Sequence, residues 1–174
     1  MNTNQDQDKL RDDMLQAMRR LAKSVSVITC SHGGQRYAMS ASAVDSLSTA
    51  PPSLLICVNQ SCSIYTPLSR GAPFCVNILA ADQCDIARIC AGKLKGEARF
   101  SEGNWHTHAD GTPYLAEAQA NLICEQDGHY DYGTHTIFIG RIKRVLVGGP
   151  VSPLVYVDGA YATSAALTQN LAYA

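Results

Sequence analysis

From Ser24 to Tyr161 the chain passes through a succession of short apolar segments separated by turn residues, with few helical stretches between them. This succession constrains the fold more than any single motif. SVSVITC (24–30) alternates small polar residues with Val or Ile, HGGQ (32–35) supplies a turn, and YAMSASAV returns as the second strand of a hairpin. Pro51 and Pro52 break that element before SLLICVN (53–59), apolar enough for a central strand, and PFCVNIL (73–79) is the next. The C-terminal third reads as strand in QANLICEQD from 119, THTIFIGRIKRVLVGG from 134 and PLVYVDGAY from 153. Six or seven strands in no regular βαβ order predict a mainly β protein, an antiparallel barrel with peripheral helices. A doubly wound nucleotide fold needs a glycine-rich turn between strand and helix, and HGGQ leads into another strand.

Helices are expected at the margins. Leu10, Met14, Ala17, Met18 and Leu21 recur at helical spacing, so 9–22 is predicted to be an amphipathic helix covering one side of the core, after a disordered lead over 1–8. Ser61–Arg70 is a short candidate that Pro67 limits to a turn or two. ADQCDIARICAG is another, with Asp82 as cap and Gly92 as stop. KGEARFSEGNWHTHADGTP is polar and turn-rich, a long excursion of the kind that carries function or assembly. At 174 residues the chain fits one domain, placed at 9–162, with a tail over 163–174 that forms a loose helix or drapes over a neighbour.

Lys and Arg total 14 against 15 Asp and Glu, and the formal charge of -1 gives no basis for binding nucleic acid or an anionic membrane through the surface as a whole. The polar N-terminus has no apolar run of the kind a secretory signal needs, and no later run approaches a membrane span. The seven cysteines are odd in number and lack CxxC spacing, as expected of small buried thiols in a reducing compartment. A cytoplasmic protein is expected.

Motifs of zinc deaminases, metallopeptidases, P-loops and Gly-x-Ser-x-Gly hydrolases are absent. His106 and His108 in WHTH lack a third ligand of evident spacing, and no metal site is expected. Ser42, Asp45 and His135 lack a nucleophile elbow and make a poor triad. What stands out is YAMSASAVDSLST, where hydroxyls alternate with alanines at positions that a strand closing a core would fill with large aliphatics. It is either a solvated face or a seat for a flat polar ligand held by backbone groups and short hydroxyls. Asn77, inside an apolar strand, needs a partner: such a ligand or a neighbouring loop.

The ordered set RRLAKSVSVITC, YAMSASAVDSLSTAPPSLLICVNQSCSIYTPL, APFCVNILAADQ, RF, THTIFIG and PLVYVDGAY closely resembles the flavin reductase family, over about 150 residues. The resemblance implies a Greek-key split β-barrel of the FMN-binding type, assembled as a homodimer, with FMN or FAD as flavin and NADH or NADPH as hydride donor. It implies that Met39, Ser40, Ala41, Ser42 and Ser46 contact the ring and ribityl chain, and that Ser61, Cys62 and Ser63 reach the phosphate. Asn77, Leu79 and Gln83 would line the flavin, Arg99 and Phe100 would stand near phosphate and ring, and His135 and Tyr161 near the nicotinamide. Many relatives carry a longer amide within the stretch that reads Ser40-Ala41-Ser42 in this chain, which leaves FMN and FAD undistinguished. The implied activity is NAD(P)H:flavin oxidoreduction that feeds reduced flavin by diffusion to a flavin-dependent monooxygenase. The alternatives are a flavin-binding protein of the same fold without turnover, or a reductase with another acceptor such as a corrinoid.

Overall fold

The computed structural model describes residues 3–166. Its elements are α1 (Thr3–Met18), β1 (Lys23–Ser24), β2 (Ser26–His32), β3 (Gln35–Ala41), β4 (Val44–Thr49), β5 (Pro52–Asn59), α2 (Tyr65–Ser69) and β6 (Phe74–Ile78). They continue with α3 (Cys84–Arg88), a π turn over Ile89–Lys93, a 3-10 turn over Gly96–Phe100, β7 (Trp105–Thr107), β8 (Pro113–Leu115), β9 (Ala120–Tyr132), β10 (His135–Val147), β11 (Leu154–Val157) and β12 (Ala160–Thr163).

Seven strands form one antiparallel sheet in the order β3-β2-β6-β9-β10-β5-β4. Its two edge strands are consecutive in sequence, joined only by Ser42 and Ala43. Laid flat, edges six strand spacings apart would stand about 29 Å from each other, whereas Ala41 and Val44 can be at most about 11 Å apart. The sheet must therefore curl until its edges approach. Among the described residues no ladder closes the seam between β3 and β4, which makes the barrel a split one.

Curling produces two cores. Inside the curl, Ile28, Ile56, Val58, Phe74, Val76 and Phe138 pack with Ile64 and Leu68 from α2 and its approach. Gly140 is required there, because a Cβ would stand 2.5 Å from Phe74 Cζ and 3.0 Å from Cys124 Cβ. On the outer side, Val25, Val27, Ala38 and Leu79 are covered by Ala87, Ile89, Cys90, Phe100, Leu115 and Leu154. A smaller sheet, β1-β11-β12, flanks this layer. Its β11–β12 hairpin turns on Asp158 and Gly159, both at positive φ (50° and 80°), the pattern that Asp-Gly favours in two-residue loops.

Several expectations need correction. The first helix begins at Thr3, inside the stretch expected to be a disordered lead, and ends at Met18; its apolar stripe (Leu10, Met14, Leu15, Met18) is exposed instead of covering a core. The cap position of α3 is Gln83 and not Asp82, although Gly92 does end that segment at φ 122°. The polar excursion carries the 3-10 turn and the β7–β8 hairpin. The strand after residue 119 extends through the polar run to Tyr132. Of the expected tail, 163–166 is described without helix, and 167–174 lies outside the described residues.

Candidate active site

β3 is an edge strand, so one row of its backbone groups has no strand partner among the described residues. Two cavities lie along it. The first, about 430 Å³, is lined by Gln35–Ala38 of β3, by Ser61, Cys62 and Ser63 after β5, and by Lys95, Gly96, Glu97 and Arg99. The second, about 190 Å³, lies at the other end of β3 between Ser40, Ala41 and Ser42 on one side and Val25, Ala91, Tyr156 and Tyr161 on the other. One strand thus links a cationic recess to a smaller one bordered by tyrosines.

The recess is built by local hydrogen bonding. Asn59 ends β5 and its Oδ1 accepts from Ser61 N (2.9 Å) and Ser61 Oγ (2.8 Å), turning the chain so that residues 61–63 face β3. Arg99 donates from Nε to the Leu94 carbonyl (3.0 Å) and from Nη1 to the Ala38 carbonyl, tying the 3-10 turn to the strand edge. Arg36 lies 4.2 Å from the Phe100 ring centroid and donates to both carboxylate oxygens of Glu97. Its hydrogen bond holds the Glu97 carboxyl below the usual range. Three cationic heads against one carboxylate suit a phosphate.

In the second cavity Ser40 Oγ is out of contact with water and has no hydrogen-bond partner among the described residues. It is one of four buried side-chain polar atoms left so among the described residues, with His108 Nδ1, Thr112 Oγ1 and Arg141 Nε, and the one of the four that borders either cavity. Tyr161 meets Tyr156 edge to face at 5.4 Å, and the Arg88 guanidinium lies 5.6 Å from its ring centroid. Burial is the main cause of its raised phenol pKa, so it remains an O–H donor at neutral pH. A ligand with a phosphate at one end and a flat heteroaromatic ring at the other, such as FMN, fits this donor set.

The structure brings Ser40, Ala41, Ser42 and Tyr161 together in the smaller cavity, and Ser61, Cys62, Ser63 and Arg99 in the larger one. It does not bring the other expected contacts there. Met39 alternates with Ser40 and packs into the core inside the curl. Leu79 is fully buried in the outer core, and Phe100, also buried there, reaches the recess only by stacking under Arg36. Ser46 lies on β4 beside a separate cavity with Val44, Ser53 and Ile78. Gln83 accepts from Ala80 N (2.8 Å) and donates to the Glu117 carbonyl (3.1 Å), closing the start of α3.

Asn77 is the clearest correction. It is fully buried, and its Nδ2 donates to the Val27 carbonyl (2.8 Å) and Thr29 Oγ1 (3.1 Å). Its Oδ1 accepts from Leu115 N (2.8 Å) and Asn121 Nδ2 (2.9 Å). Every amide position is used, so it anchors β8 to the sheet and has nothing left for a ligand. His135 opens β10 opposite Asn59, with Nδ1 2.9 Å from Thr134 Oγ1, and lines neither cavity.

Sequence reasoning missed Arg36, Lys95 and Glu97 as partners in one recess. The signal lay in the grouping of Lys95, Glu97 and Arg99 just before Phe100.

Residues 18–165 match the model of the flavin reductase like domain. The reductase component of an FADH2-dependent resorcinol hydroxylase from Rhizobium sp. (strain MTP-10005) is 39% identical over 83% of this chain and 82% of its own length. An NADH-dependent FMN reductase, RutF from Variovorax paradoxus, is 34% identical over 86% and 83% respectively. The NADH:FAD oxidoreductase SgcE6 of Streptomyces globisporus C-1027, solved with NAD and FAD fragments, superposes with a TM-score of 0.83 at 26% identity, covering 90% of this chain and 94% of its own. The chain belongs to the flavin reductase like family, and the split barrel is that family's fold.

Proposed function

We propose that the groove along β3 holds the flavin, with its phosphate toward Ser61, Ser63, Lys95 and Arg99 and its ring toward Ser40, Ala41, Ser42 and Tyr161. The protein is an NAD(P)H-dependent flavin reductase that supplies reduced FMN or FAD to a partner monooxygenase, as its family membership carries. When bound there, the flavin would supply the hydride-accepting chemistry, and the groove residues would contribute mainly its alignment with the nicotinamide.

The residues divide that work. Ser40 Oγ offers a ring heteroatom the hydrogen bond it lacks within the described chain. Ala91 lets a planar group approach closely, while Ala41, whose side chain packs with Met39 against the inner core, would offer its backbone there. Tyr161 borders the same space as a neutral donor, which suits it to the nicotinamide amide or the ring edge. His135, exposed at the start of β10 opposite Asn59, lines neither cavity and takes no part in this division. Arg99 fixes the recess wall and adds positive charge for the phosphate.

The single observation that carries this assignment is the unpartnered Ser40 hydroxyl on a free strand edge among the described residues. A homodimer is part of the same proposal, supported by the exposed Leu10, Met14, Leu15 and Met18 stripe, whose burial needs a second surface. So is a cytoplasmic location, supported by seven free cysteines; no described helix is long and apolar enough to cross a membrane. Anaerobic oxidation of NADH and NADPH, followed without flavin, with FMN and with FAD, tests the function. Turnover that requires flavin and leaves reduced flavin in solution is expected; flavin binding without turnover would refute the activity.

A further inference from the structure

Glu97 places an anion in a recess otherwise suited to receive one. The recess contains Arg36, Lys95 and Arg99, and Glu97 engages the Arg36 guanidinium through both carboxylate oxygens, with Arg36 Nε 3.1 Å and 3.3 Å from them. A carboxylate and a phosphate seek the same two-pronged edge of a guanidinium. Arg36 is held in place from a second side by the Phe100 ring, so it stays in the recess when its partner leaves. Glu97 keeps two-thirds of its side-chain surface in water, so solvent can take over its solvation if it swings away. One short turn, Gly96–Phe100, supplies the competing anion, the Arg99 cation and the stacking ring.

We propose that Glu97 is an affinity-setting residue: it competes with the flavin phosphate for Arg36, so that flavin is held as a releasable substrate and not as a permanent cofactor. This rests on the recess being the phosphate end of the flavin groove. Binding exchanges one anion for another on Arg36, and release is assisted by the return of Glu97. Without the carboxylate, the ligand would gain an uncontested guanidinium and lose a repulsive neighbour. Riboflavin, which has no phosphate, would gain neither.

The test is a set of dissociation constants for oxidised FMN and riboflavin, by quenching of flavin fluorescence, on the full chain and on Glu97→Gln, Glu97→Ala, Arg36→Met, Lys95→Ala and the Arg36→Met/Glu97→Gln double variant. Thermal melts establish that each is folded. Glu97→Gln is expected to tighten FMN by up to about tenfold at low ionic strength, less at high salt. Glu97→Ala should do at least as much, riboflavin should be unaffected, and the gain should shrink when Arg36 is already Met, to the part that relief of charge repulsion alone supplies. Unchanged or weaker FMN binding by both folded Glu97 variants, or equal tightening of riboflavin, would overturn the competition. Lys95→Ala separates that failure from failure of the site itself: it should weaken FMN and spare riboflavin. If it changes neither, the recess does not hold the phosphate and both proposals fall.

Discussion

Asn77 and Ser40 are both polar groups on strands of the same sheet, and they are treated oppositely. Asn77 lies on an interior strand of the sheet with every donor and acceptor occupied by the protein. Ser40, on the edge strand two strands away, has a hydroxyl that is equally shielded from water and bonded to nothing among the described residues. The closed network belongs to folding, because its bonds are complete without any other molecule. The open one is the group that the proposed flavin site uses, because no bond among the described residues occupies it.

The strongest attempt to break this contrast is Asn77→Ala. It leaves Leu115 N–H, the Asn121 amide and the Val27 carbonyl short of a partner, and should cost about 3 kcal/mol of stability, read by urea unfolding. The folded fraction should still bind flavin with unchanged affinity. A smaller effect comes from pH. Burial pushes the Cys30, Cys90 and Cys124 thiols up to about 12, against an ordinary value of 9.0. These groups stay protonated when folded but ionise when unfolded as pH passes 9, so their stabilising contribution is complete below that value and is lost as pH rises toward 12. At pH 9.5 the three together should have lost about 2.5 kcal/mol, with no matching loss between pH 7 and 8. Smallest is Ser40→Ala. Removing an unsatisfied hydroxyl should leave unfolding free energy within about 0.5 kcal/mol of the parent, while flavin binding weakens by about 1 kcal/mol, read by titration.

The sequence was most legible where local pattern decides the outcome. Alternation in 24–30 and the following turn foretold the β2–β3 hairpin, and the absence of βαβ order foretold a sheet of antiparallel strands. It was least legible where distant residues decide. The partners of Asn77 at Leu115 and Asn121 lie 38 and 44 positions away, so nothing in PFCVNIL distinguishes an anchor from a ligand contact. The same holds for the pairing of Arg36 with Glu97, 61 residues apart. That β3 is an edge strand, and that its hydroxyls face a groove instead of bulk water, follows from the order of seven strands. Two local signals were passed over. Asp158-Gly159 marks a hairpin within a segment read as one strand, and period-two alternation alone puts Met39 on the face opposite Ser40. The helical stripe of α1 was read correctly as apolar but assigned to a core that the chain does not place beneath it.

The most direct measurement is an amide NMR titration of the protein with oxidised FMN, following β3 and the side-chain amides of Asn77 and Asn121 in the same spectra. The resonances of Ser40, Ala41 and Ser42 and the Arg36 and Arg99 Nε–H signals should move with FMN while the Asn77 and Asn121 side-chain amides stay in place. Shifts centred on Asn77 and Asn121, with β3 unmoved, would contradict the account: the closed network would then be the binding site and the open strand edge would not.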